Sequence, residues 1–224
     1  GVIGRTAIHL TDPEDRGKPL KMHQLWIDIG ATDKADAEEV VAIGDPVTID
    51  VGFTELRNGI AAARAFDDRI GAFVILEAMR LLHKKKVSCG VYAVTTVQEE
   101  IGLRGAKTSA YACDPHVGLA VDVGHATDHP NLDARRFREG AINKGPILHR
   151  GPNINPIVGR QLIDVAKDKK IPYQVAAAPR GTGTDANAMQ LSRGGVATGL
   201  ISIPNRYMHS PVETASTEDL EHLI

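Results

Sequence analysis

Val87-Ser88-Cys89-Gly90-Val91-Tyr92-Ala93-Val94-Thr95-Thr96-Val97-Gln98-Glu99-Glu100 is the stretch on which the reading of the fold turns. From Val87 to Val97 it is an apolar, β-branched run of strand length, the pattern of a buried strand. It ends in two adjacent carboxylates, and Leu103 to Ala112 then reads as a short helix. Side chains alternate along an extended chain, so Glu99 and Glu100 point different ways from one segment. One can bind a cation while the other stays free to move protons. A Glu pair alone more often marks a solvated loop, so its meaning depends on what the rest of the chain places beside it.

Three more ligand-type residues share that placement. Asp67 lies in Ala65-Phe66-Asp67-Asp68-Arg69, Asp122 ends the apolar run from Val117 to Val123, and His209 follows the run from Gly199 to Ile203. Ligand sites in open α/β sheets form outside the carboxyl ends of the strands. Residues of this kind at separate strand exits therefore point to a metal site at one sheet edge. From Asp67 onward the pattern alternates between helix and strand, which predicts an α/β sheet with helices on its faces. Helices are expected over 68–84, apolar on nearly all sides and so deeply buried, over 155–170, and over 185–193. Strands are expected over 172–177 and 196–203. Ser216-x-x-Asp219 has the form of a capping box opening a last helix.

The first sixty residues differ. Leu25 to Gly30 and Pro46 to Gly52 read as short strands bounded by Gly, Pro and Asp, with only Lys34 to Val40 suited to a short helix. An all-β module is expected over 1–62 and an α/β domain over 63–224, the boundary falling between Asn58-Gly59 and Arg64.

Composition narrows the function classes. The 224 residues are 42% hydrophobic and 24% charged, ordinary for a globular protein. A net charge of −2 gives no basic footprint for nucleic acid. No apolar run approaches the roughly 20 residues of a membrane span. Cys89 and Cys113 stand beside apolar runs without C-x-x-C spacing, which reads as small buried hydrophobes in a reducing, cytoplasmic setting.

AFDDRIG (65–71), TVQEEIGLRGAK (96–107), LAVDVGHA (119–126), GTGTDANAMQ (181–190) and ISIPNRYMHSPVE (201–213) together resemble the M42 metallo-aminopeptidases, which include glutamyl and tetrahedral aminopeptidases and the cellulase M proteins. The resemblance runs in order along nearly the whole chain. It implies a zinc-exopeptidase-like sheet carrying an inserted β-barrel dimerisation domain. It makes Asp67 a ligand bridging two divalent ions, zinc or cobalt, with Glu100, Asp122 and His209 as further ligands and Glu99 as general base. It also implies a cis bond between Asp67 and Asp68. The glycine-rich turn puts Thr184 and Asp185 near bound substrate. The family's upstream His-x-Asp ligand has no counterpart before Asp67, where only His9 and His23 stand, so the chain reads as part of a longer protein with both ends of the catalytic domain missing.

The function expected is hydrolysis of N-terminal residues from peptides by a two-metal centre, in a dimer that assembles to a dodecamer. A non-catalytic assembly subunit with an incomplete site is the competing class. A cellulase M-type glycosidase is the weaker alternative, because sugar sites favour aromatic platforms and this chain is 4% aromatic.

Overall fold

A computed structural model describes residues 1–133 and 140–224, which divide into two compact units, 1–48 and 49–224. In the first unit β1 (Val2–Gly4) pairs antiparallel with β2 (Trp26–Asp28). Helix α1 (Lys34–Glu38) starts at Asp33, whose carboxylate accepts the N–H of Asp36. None of residues 1–48 is buried. The strand expected over 46–52 is not assigned, because an extended run becomes a strand only when its N–H and C=O groups find a ladder.

The second unit is built on a seven-stranded mixed sheet of β3 (Thr54–Glu55), β4 (Ile60–Ala63), β5 (Val117–His125), β6 (Ile147–Arg150), β7 (Gln174–Ala177), β8 (Ala197–Arg206) and β9 (Glu213–Ser216). β8 is its spine. It runs parallel to β5, from Val117↔Ala197 to His125↔Asn205, and antiparallel to β6 and β9. β9 is in turn antiparallel to β4. Two reversals restore direction, so β4, β5 and β8 all point their carboxyl ends at the same sheet edge. The segments that follow β4 and β8, together with the end of β5, are those that carry Asp67, His209 and Asp122.

The helices of this unit are α2 (Phe66–Leu82), α3 (Arg104–Cys113), α4 (Pro156–Lys169), α5 (Asp185–Met189) and α6 (Thr217–Leu223). Alternation sorts the sheet side chains. Val121, Val123 and Ile203 pack with Phe66, Ile70 and Val74 of α2, whereas Ala120 and Leu200 face the other way onto Ala186 of α5. Leu148 packs with Ile163 and Ala166 of α4. Helices therefore cover both faces, as expected. α4 starts where Asn155 accepts the N–H groups of Ile157 and Val158 and Pro156 follows, and α6 starts at Ser216, which accepts from Asp219. Among the described residues no helix is long and apolar enough to cross a membrane.

Four expectations are corrected. Residues 87–97 form no strand, and Val87, Val91, Tyr92 and Val97 are exposed. Among the described residues no neighbouring strand pairs with this run, and apolar composition alone cannot supply one. Burial of α2 is one-sided: Phe73 and Leu76 are 53% and 58% exposed, because only the stripe of Phe66, Ile70 and Val74 meets the sheet. α5 ends at Met189 instead of Arg193. Cys89 is an exposed free thiol, since its segment has no layer packed over it.

Candidate metal centre

Asp67 enters the site at the turn from β4 into α2. Ala65 takes a left-handed conformation (φ 54°), and the Asp67–Asp68 peptide is cis. Glu99 and Glu100 follow Gln98, also left-handed at φ 57°. His209 lies beyond the end of β8, in a loop where both Tyr207 and His209 have positive φ (60° and 61°). Non-glycine residues avoid this region at a cost of about 1–3 kcal/mol each, and they persist in it where surrounding contacts over-determine the backbone. Several such positions beside one cluster mark a segment of chain shaped around its side chains.

His209 Nε2 lies 3.1 Å from Asp67 Oδ2 and 3.5 Å from Glu100 Oε2. One ligand atom from each of the three residues falls within 4.8 Å of the others. Ligands at about 2.0–2.2 Å around a tetrahedral zinc-sized ion stand about 3.3–3.5 Å apart, so the observed spacings suit one cation. The donor set, one imidazole and two carboxylates with room for a further ligand, is also that of a catalytic site. Asp67 is nearly enclosed, whereas His209 and Glu100 are open at 65% and 59% exposure. The cluster therefore has a solvent-facing side.

The remaining predicted residues lie around this trio. Glu99 is half-buried, and burial together with the negative charges of Asp185, Glu100 and Asp67 pushes its carboxyl up to about 7. Asp122 accepts the N–H of Val123, and burial and the charges of Asp67, Glu99 and Asp185 raise it to about 7. Its register opposite Ser202 turns it toward the α5 face of the sheet. It is not one of the three residues whose ligand atoms cluster. Asp67 is raised to about 6 by burial and by Glu100 and Glu213, and His209 partly offsets this. Asp68 is raised to about 9 by burial and by Asp122. Asp185 opens α5 and accepts from Thr96 Oγ1 at 2.5 Å, while its other oxygen is buried without a partner. Thr184 is the first residue before α5 and pairs with Thr182 through their hydroxyls at 2.9 Å. Carboxyls raised by burial, and further by one another's charge at Asp67, Asp68, Glu99 and Asp122, are what a cation would stabilise.

Two residues were not singled out from the sequence. Asp68 was read only as a neighbour of Asp67, yet burial pushes its carboxyl up to about 9, and its Oδ1 accepts the Gly71 N–H. Glu213 is 2% exposed and accepts the backbone N–H of both Asp67 and His209. The available signal was an acid four residues after His209, inside a β-like run where an unpaired charge would be costly.

A family model described as M42 glutamyl aminopeptidase matches residues 1–224. Lysyl aminopeptidase of Pyrococcus furiosus is 42% identical over 226 residues, covering all of this chain and 64% of that protein. Among solved structures, a TET aminopeptidase from the marine sediment archaeon Thaumarchaeota archaeon SCGC AB-539-E09 superposes with a TM-score of 0.90 at 38% identity, over 99% of this chain and 63% of its own. TET1 peptidase of Pyrococcus horikoshii, described as assembling into a tetrahedron or a large octahedral shell, gives 0.81 at 30% identity, over 96% and 62%. This chain thus spans just under two thirds of the length of each of these proteins.

Proposed function

Because the chain belongs to the M42 glutamyl aminopeptidase family, we propose that it is the larger part of a metal-dependent aminopeptidase that removes residues from the free N-termini of peptides. The observation that carries this reading is the convergence of Asp67, Glu100 and His209 on one point, with Glu99 beside them. Those three hold one divalent cation, and Asp67 with Asp122 contributes to a second. Zinc and cobalt both suit the N/O donor set. When bound, such ions polarise a peptide carbonyl and make water acidic near neutral pH.

The protein's own groups do the rest. A carboxylate oxygen of Glu99 takes a proton from the attacking water and returns it to the amide nitrogen as the peptide bond breaks. A carboxyl raised to about 7 is matched to that exchange near neutral pH. Glu100, whose oxygen lies 3.5 Å from His209 Nε2, serves as ligand, not base. The open side formed by His209 and Glu100 admits the substrate, and Thr184 and Asp185 at the start of α5 border it. The β-barrel dimerisation domain, expected over 1–62, is assigned to residues 1–48, because β3 and β4 belong to the sheet of the second unit, and subunits assemble as a homo-oligomer up to a dodecamer. In support, residues 1–48 bury nothing and leave Met22 and Ile43 among the exposed apolar side chains. The unpaired cysteines fit a cytoplasmic setting.

The test is hydrolysis of aminoacyl-nitroanilides carrying acidic, basic and aliphatic residues, each with a free or an acetylated amino group, with zinc or cobalt added. Cleavage of free-amino substrates only is expected. Equal cleavage of acetylated substrates, or no cleavage of any at saturating metal, overturns the reading.

A further inference from the structure

A buried acid behind the cluster has a geometry that neither a core carboxylate nor a general base requires. Glu213 sits on β9 opposite Ala63 of β4, at 2% exposure. Its Oε2 accepts the N–H of Asp67 at 2.9 Å and its Oε1 accepts the N–H of His209 at 2.8 Å. One carboxylate thus holds the backbone of two cluster residues that are far apart in sequence. We propose that Glu213 is a positioning residue, its two oxygens fixing the Asp67 and His209 backbones so that their side chains meet at a single cation. This rests on the metal-dependent reading above.

Each contact meets a need that nothing nearby supplies. Asp67 and Asp68 are non-helical (ψ 110° and 50°), and the regular helix begins after them, where Asp68 Oδ1 accepts the Gly71 N–H as a cap. An N–H in such a kink has no helical partner and needs an acceptor from elsewhere in the fold. For Asp67 that acceptor is Glu213. At the other oxygen, His209 stands in a left-handed conformation within a tight loop, with Ser210 N–H closing back on the Tyr207 carbonyl. Its own N–H points inward to Glu213. The outcome is the 3.1 Å approach of His209 Nε2 to Asp67 Oδ2. Metal–ligand bonds tolerate deviations of only about 0.2 Å, so ligands on two separate segments need a common anchor. β9 provides it through its ladder with both β4 and β8.

The chemistry predicts how substitutions behave. Two N–H donors need two acceptor oxygens. Glutamine offers one oxygen and one NH₂ group, so Glu213→Gln turns a donor toward a donor and frees one of the two segments. Glu213→Asp keeps both oxygens and the charge but is a methylene too short to reach both partners. If the charge alone mattered, Asp would restore the wild-type behaviour.

The experiment is calorimetric zinc binding to chelator-stripped protein for wild type, Glu213→Gln and Glu213→Asp, with backbone amide exchange followed by mass spectrometry. Both variants are expected to bind zinc about 10–100-fold more weakly, the usual effect of removing a group that orients a ligand. Exchange should quicken in the segments holding Asp67 and His209 and stay slow along the β5–β8 ladder. A folded Gln or Asp variant with wild-type zinc affinity overturns the proposal. Should neither variant fold, exchange in the wild type decides: amides of Asp67 and His209 as slow as those of β8 uphold it, and fast exchange at both overturns it. A wild-type protein that binds no zinc refutes the metal-dependent reading instead, which keeps the two failures apart.

Discussion

Exchanging the roles of two neighbouring carboxylates is the sharpest test of the site. Glu99→Gln keeps the volume of a half-buried side chain and removes its capacity to carry a proton. General acid–base catalysis contributes about 10²–10⁴-fold, so turnover should fall by that factor, about 2.7–5.4 kcal/mol of barrier. Zinc binding should change little. Glu99 is outside the Asp67–Glu100–His209 cluster, and losing one partly exposed negative charge costs about 0.5–1 kcal/mol, or about two- to fivefold in affinity. Glu100→Gln should do the reverse. Its carboxylate oxygen lies 3.5 Å from His209 Nε2, so this change removes a ligand and should weaken zinc by at least about a hundredfold. Excess metal should then restore part of the turnover. The assay pairs zinc calorimetry with hydrolysis of a free-amino nitroanilide at saturating metal. Near wild-type turnover in Glu99→Gln would remove Glu99 from proton transfer. Zinc affinity lost equally in both variants would make both residues ligands and defeat the division of labour.

Three further outcomes follow from the structure. Asp68, raised to about 9 from 3.8, keeps a proton in the folded chain that the unfolded chain has released, so the metal-free protein should lose stability as pH rises from about 4 to about 9, and no faster than about 1.4 kcal/mol per pH unit for this group. Urea unfolding across that range should show a flatter slope in Asp68→Asn, and an unchanged slope would count against a buried, protonated Asp68. Val74→Ala removes two methyl groups from a side chain 2% exposed in the α2–sheet core and should cost about 2 kcal/mol in thermal or urea unfolding, with or without metal; a loss below about 0.5 kcal/mol would mean that the site collapses without leaving a void. Mass photometry at micromolar concentration should find assemblies larger than a monomer, and monomer alone would refute the homo-oligomer.

What the sequence determined by itself was local. Periodicity and caps located α3, α4 and α6 and the strands β5 and β8, because each is written in residues within a turn or a few positions of one another, such as Asn155-Pro156 before α4 and Ser216 three residues before Asp219. Motif resemblance singled out Asp67, Glu99, Glu100, Asp122 and His209. Tertiary structure decided everything that depends on a partner across space. Residues 87–97 have strand composition but no ladder among the described residues, and α2 has apolar residues all round but only one face against the sheet. The resemblance named four metal ligands, and the tertiary structure brings ligand atoms of three of them, Asp67, Glu100 and His209, within 4.8 Å of one another. The joint grip of Glu213 on Asp67 and His209 was beyond the sequence, since it spans a separation of 146 residues on one side and four on the other. A hydrogen bond between distant segments leaves no periodic trace along the chain. It exists only once β4, β8 and β9 lie side by side and bring those backbones within reach of one carboxylate.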